Sequence, residues 1–228
     1  MLPMDFIRGD RFGRLVIEID AADGWGPRDE AVTAIPDALE AILDKPQGVE
    51  AVLDQTLEPV GSDHGWTFSE LDAFAASTLD YEVDEDTVKM HVLFLDGYYV
   101  GDDPDSVILG LAWGRSKLAI FSETIAASCQ GHVGQGLEER LCAGTERSVW
   151  VHEIGHLLGL VNNGTPMLTE REDPDHSHHD INEECVMYWA AERQNAVEHL
   201  ASRLLDTDVA YLDFDDACLA DLAAVRDG

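Results

Sequence analysis

Apolar and polar positions along the chain alternate at two periods. Residues 14–19 (RLVIEI), Val49–Leu57 and residues 88–95 (VKMHVLFL) are short runs rich in branched side chains, the pattern of β-strands. Residues 108–113 and 118–121 make two more, and Gly114-Arg115-Ser116-Lys117 between them suits a hairpin turn. Helical spacing appears at residues 29–43, after the break Gly24-Trp25-Gly26-Pro27. It recurs through Leu71, Phe74, Ala75 and Leu79, with Thr67 or Ser69 as the cap. A third helix is expected over residues 145–161, carrying Val149, Trp150, Leu157, Leu158 and Leu160, with Asn162-Asn163-Gly164 as its stop. Residues 165–184 are polar and acidic and read as loop. Cys185-Val186-Met187-Tyr188-Trp189 is an apolar island, and residues 215–225 form a final helix. Strands that alternate with helices and then follow one another predict a mixed α/β sheet.

The chain has 228 residues, 45% of them hydrophobic, enough for one domain with a core. Residues 1–228 are therefore taken as a single domain, divided at about 160 into an N-terminal part and a smaller C-terminal part. Charge changes the picture more. Forty-six Asp and Glu stand against 14 Lys and Arg, a formal net charge of −32. Such a surface repels phosphate backbones and anionic membrane faces, so no nucleic-acid or membrane partner is expected. It also strains the compact state by self-repulsion, which salt screens, as in proteins of halophiles. The first residues lack a basic segment followed by an apolar run, so a cytoplasmic location is expected, although a secreted form stripped of its leader shares that feature. Cys129, Cys142, Cys185 and Cys218 contain no Cys-x-x-Cys pair; Cys129 and Cys142 are close enough in sequence to close a loop, or all four are free thiols.

The chemistry concentrates at His152-Glu153-Ile154-Gly155-His156. Histidines one helical turn apart face the same way and can grip one zinc ion. Glu153 lies about 100° around the helix from His152, where its carboxylate reaches a water rather than the metal. Two histidines packed on a helix face are the plain alternative. Gly159, three residues beyond the second histidine, lets the chain turn sharply out of the helix.

HEIGHLLGL (His152 to Leu160) resembles the metzincin metalloproteases. That family places a third histidine where this chain has Asn162, whose amide binds zinc poorly. A second fragment, His179-Asp180 followed by Cys185 and Met187, is similar to the archaemetzincin continuation of the motif, with Asp180 where the family has a cysteine. The resemblance implies an insertion over about residues 161–178, His179 as the third zinc ligand, and Met187 as the methionine beneath the metal. His176, His178, Asn162 and Asp180 remain alternatives for the ligand. The family's second, four-cysteine zinc site is not expected, given Asp180.

Residues 110–112 with 119–122 are similar to the family's last two strands before the active-site helix, the first being the edge along which an extended peptide adds. An ordinary hairpin gives the same residues. The resemblance implies a metzincin-like mixed sheet with backing helices and an irregular C-terminal part. It also implies a zinc metalloendopeptidase with one catalytic zinc on His152, His156 and His179, and Glu153 as general base. Its substrate is a peptide or protein in extended conformation.

Three other readings stand beside this one. The first is a gluzincin-type site with Glu192 as third ligand. The second is a catalytically silent zinc-binding domain, and the third an interaction module without metal. The remaining histidines, His64, His91, His132 and His199, read as surface or satisfied core groups. Glu170, Glu172, Asp173 and Asp175 lack calcium-loop spacing and read as a solvated charge run.

Charge yields the first prediction. The melting temperature should rise steeply between about 0.1 M and molar KCl, as the Debye length falls from about 10 Å to about 3 Å. A melting temperature flat over that range removes the halophile reading.

Overall fold

The computed structural model describes residues 1–101, 107–134 and 136–228. In chain order the N-terminal part runs α1 (Pro3–Ile7), β1 (Arg14–Ala22), α2 (Asp29–Ile42), β2 (Val49–Leu57), β3 (Gly65–Trp66), α3 (Phe68–Thr78) and β4 (Thr87–Leu95). It continues with β5 (Tyr98–Tyr99), β6 (Gly110–Trp113), β7 (Lys117–Phe121), α4 (Ser122–Ser128) and α5 (Glu138–Leu157). A single 3-10 turn (Trp189–Glu192), α6 (Asn195–Thr207) and α7 (Asp216–Asp227) complete the chain.

The main sheet has the order β2-β1-β4-β7-β6. Its first four strands are parallel, and β6 returns antiparallel on β7 to form an edge. Left-handed backbone at Gly114 and Arg115 makes that return tight. The period of two decides which layer each side chain joins. Leu15, Ile17 and Ile19 of β1, with Val88, Met90, Val92 and Phe94 of β4, face the large core shared with α2 and α5. Trp150 of α5 meets Phe94 edge-on, with ring centroids 5.1 Å apart. The opposite positions, Leu93, Leu95, Ala119 and Phe121, pack beneath α3 on Trp66, Leu71 and Ala75. Further along that face lie Glu18, Asp20 and His91, all buried, with Asp20 bonded to His91 at 2.7 Å. The large core also takes in Val186, Met187, Val197, Leu200 and Leu204, so both parts of the chain share it.

The elements agree with the sequence pattern in the sheet and depart from it at several ends. Thr67 rather than Ser69 caps α3, in a reciprocal pair with Glu70. The helix expected over residues 145–161 begins at Glu138, where two glutamates favour a helix start. It ends at Leu157, because Gly159 (φ 74°), Val161 (φ 49°) and Asn162 (φ 60°) adopt left-handed backbone. The edge strand expected from Ile108 begins at Gly110; residues 107–109 pair instead with residues 192–194. Four helical segments were not anticipated: α1, α4, the 3-10 turn and α6. The last of these buries Ala196, Val197, Leu200, Ala201 and Leu204 at helical spacing. All four cysteines are free and buried, Cys129 and Cys142 included. No helix among the described residues is long and apolar enough to cross a membrane.

Candidate metal centre

Helix α5 is buried on nearly all sides from Leu141 onward, and its last two turns carry the histidines. Their Nε2 atoms converge to 3.0 Å. Two nitrogens sharing one tetrahedral zinc stand about 3.3 Å apart, given Zn–N bonds of about 2.0–2.1 Å. His152 donates from Nδ1 to the carbonyl of Val186 at 2.6 Å, which leaves the Nε2 lone pair facing the cluster. His179, from the acidic loop, donates from Nδ1 to the Ser177 carbonyl at 3.0 Å. Its ring stacks 5.2 Å from that of His152. Glu192 completes the group, with one oxygen 3.8 Å from His152 Nε2 and the other 4.0 Å from His179 Nε2. The four ligand atoms of His152, His156, His179 and Glu192 lie within 4.8 Å of one another.

The residues fit a divalent cation. His179 Nε2 and both carboxylate oxygens of Glu153 are buried without a hydrogen-bond partner, a costly arrangement unless an ion or water meets them. Burial, with His179 beside it, holds the His152 pKa down at about 3, and burial holds His179 at about 4. His156 is pushed well down by burial and by the neighbouring imidazoles. All three rings are therefore neutral at pH 7, the form that binds metal. Burial raises Glu192 to about 7. Burial and then the charge of Glu192 push Glu153 well above the carboxylate range, against a smaller opposing effect of the Ala112 backbone.

Two glycines make the geometry possible. A Cβ on Gly155 would stand 2.2 Å from Met187 Sδ, so the helix presents bare backbone to the methionine beneath it. A Cβ on Gly110 would stand 2.5 Å from Val149 and 2.9 Å from a Glu153 oxygen, so the edge strand can lie directly over the carboxylate.

The other residues weighed for the third position lie elsewhere. Asn162 donates to Glu172 at 2.8 Å. His176 is bonded to Asp173 and stacked on Trp189, with centroids 4.3 Å apart. His178 is turned toward Glu172. Those acidic residues thus tie the loop together: Glu172 binds Asn162 and the His178 amide, and Asp173 binds His176 and the Asp175 amide. Glu192, the alternative third ligand, stands beside His179 in the same cluster.

A second convergence includes Asp180 and Cys185, where a four-cysteine site is not expected from the sequence. Asp180, Cys185, Asp215 and Cys218 bring their ligand atoms within 4.8 Å of one another. The Arg171 guanidinium reaches into them, 2.7 Å from Asp180 and 3.3 Å from Cys218 Sγ, and also pairs with Asp221 at 2.7 Å. The Asp215-x-x-Cys218 spacing is the local signal for it, a carboxylate and a thiol one helical turn apart with no Cys-x-x-Cys pair.

No family model matches the sequence, and no curated protein matches it. Among solved structures, the fold is similar to that of archaemetzincin from Methanopyrus kandleri, with a TM-score of 0.54 and 16% identity. The match covers 94% of this chain and 97% of that one. The chain therefore has an archaemetzincin-like mixed α/β fold, with a mostly parallel central sheet.

The Arg171 cluster can be tested directly. Arg171→Met leaves two buried carboxylates without their counter-charge and should cost about 3–5 kcal/mol in a urea melt. A loss below about 1 kcal/mol shows that the guanidinium does not hold the loop.

Proposed function

We propose that this chain is a zinc-dependent peptidase of metzincin type. The observation that carries the reading is the convergence of three neutral imidazoles beside a buried carboxylate with no hydrogen-bond partner. His152, His156 and His179 would hold the ion. Bound there, zinc supplies Lewis acidity, which acidifies water and polarises a carbonyl. The chain's own part is positional and protonic. The Val186 carbonyl keeps the His152 ring in its ligand tautomer. The β6 edge aligns an extended peptide by main-chain hydrogen bonds over Glu153. Glu153, held in a dry site that raises its proton affinity, accepts a proton from the attacking water and returns it to the leaving amine. The acidic surface adapts the same protein to concentrated salt.

A second reading takes its support from Glu192. Its carboxylate lies as close to His152 as a ligand needs to be after small movement, so a gluzincin-type set with Glu192 in place of His179 is the competing arrangement.

Two experiments decide these points. Glu153→Gln should retain zinc yet lose about 10²–10⁴-fold in peptide cleavage, the usual contribution of a general base; cleavage at the parent rate ends the mechanism. Zinc titration against a chelator should show large loss of affinity in His179→Ala and little change in Asn162→Ala or His176→Ala. The reverse order rejects His179. Loss in Glu192→Gln with His179→Ala unaffected favours the gluzincin set.

A further inference from the structure

Cations are scarce in this chain: 14 Lys and Arg stand against 46 Asp and Glu. Twelve of the 14, Arg193 included, form ion pairs with Asp or Glu. Lys45 is buried and donates to the carbonyls of Asp5, Arg8 and Phe12. That leaves Arg115. It is exposed and, among the described residues, donates to the Met1 carbonyl at 3.1 Å with no carboxylate beside it. Its backbone is left-handed (φ 76°), a conformation that suits glycine, asparagine or aspartate, yet a long cationic side chain occupies it. The turn sets that side chain just beyond β6, at the wall of a cavity of about 430 Å³ that reaches His156. The other walls include Leu2, Trp113 and Leu157, and no Asp or Glu lines the cavity among the described residues.

The free outer edge of β6 is Gly110–Trp113, because residues 107–109 are bridged to residues 192–194. Antiparallel pairing is the more stable ladder per residue, and it runs a peptide from the cavity toward Gly110. Glu153 lies beneath Gly110 and beside Ala112, so the reacting carbonyl belongs over that stretch. The cavity then receives a side chain from the amino-terminal side of the cleaved bond. At about 3.4 Å per residue, that side chain stands roughly one to three positions before the bond. Apolar walls suit a methylene stem, and a guanidinium with unused donors suits a carboxylate at its tip. In molar salt the Debye length is about 3 Å, so the repulsion of the remote acidic surface is screened while a guanidinium in hydrogen-bond contact still acts.

We propose that Arg115 selects acidic peptides, by holding an Asp or Glu side chain of the substrate in the cavity beside His156, one to three residues before the cleaved bond. The inference rests on the peptidase reading above and adds its substrate class. Arg115 touches the substrate's side chain and not the reacting atoms, so it governs which peptide is held and leaves the metal ligands alone.

The test separates binding from cleavage. Zinc-loaded Glu153→Gln protein is titrated calorimetrically in molar KCl with one ten-residue peptide whose central residue is Glu, Gln or Lys. The Glu form should bind about fivefold more tightly than the Gln form, the upper range for a partly exposed ion pair, and the Lys form most weakly. Arg115→Asn, which keeps a residue suited to left-handed backbone, should abolish the difference. Arg115→Asp should reverse it in favour of Lys, and zinc affinity should be unchanged in both. Mass spectrometry of digests by the unmodified chain should place the cut one to three residues after the Glu. Equal affinities for the three forms, a preference that survives in Arg115→Asn, or cuts that consistently precede the Glu would each overturn the proposal. No binding of any form overturns it together with the peptidase reading. A Glu preference that depends on Arg115 but comes without any cleavage supports the recognition assignment and counts against the peptidase reading alone.

Discussion

The contact on which the candidate centre depends is the approach of Met187 to the bare backbone at Gly155. It lets the turn that follows Cys185 lie flush against α5, and so brings the Val186 carbonyl within 2.6 Å of His152 Nδ1. That hydrogen bond sets one imidazole's tautomer and points its lone pair at the other histidines. The same turn leads directly into the 3-10 segment, whose last residue delivers Glu192 to the cluster and then joins the sheet edge. A side chain at position 155 would lift this whole connection away from the helix.

Electrostatics then separate two kinds of buried polar group. Around the histidines, burial drives the groups toward neutrality, and orphaned atoms are left facing one another. Such a site is unfavourable as it stands and is poised for a cation. Around Arg171, by contrast, the cation is already covalently part of the chain: a guanidinium lies among Asp180, Asp221 and Cys218. Breaking such a buried pair is costly because it strands the partner's charge. Arg171 belongs to the same acidic loop as His179, and its ion pairs fasten that loop to α7 and to the turn before Met187. Charge thus holds much of the loop between Asn162 and His178, alongside Met167 packed on the core and His176 stacked on Trp189.

Much of this was legible in the residues alone, wherever the determinant is local. The period of two in residues 88–95 dictates both faces of β4. The spacing of His152 and His156 dictates a shared direction on one helix face, and Gly159 marks the helix exit. Met187 stands out only through the resemblance of the His179-to-Met187 fragment to the archaemetzincin motif. Helix α6 is hard to read from the residues because charged side chains interrupt an apolar set spaced one turn apart at Val197, Leu200 or Ala201, and Leu204.

Tertiary structure alone decided the rest. His176, His178 and His179 are equivalent as chemistry and adjacent in sequence; stacking of His176 on Trp189 and the Asp173 and Glu172 contacts turn two of them away from the cluster. Glu192 and His179 come from separate segments, and the fold brings both to the histidine cluster. The strand expected from Ile108 begins only at Gly110, because the residues before it bridge to residues 192–194, more than eighty positions away. Local periodicity carries information about which way a side chain points, because backbone geometry fixes the repeat. Which distant segment fills the space it points into depends on contacts that no window of neighbouring residues contains.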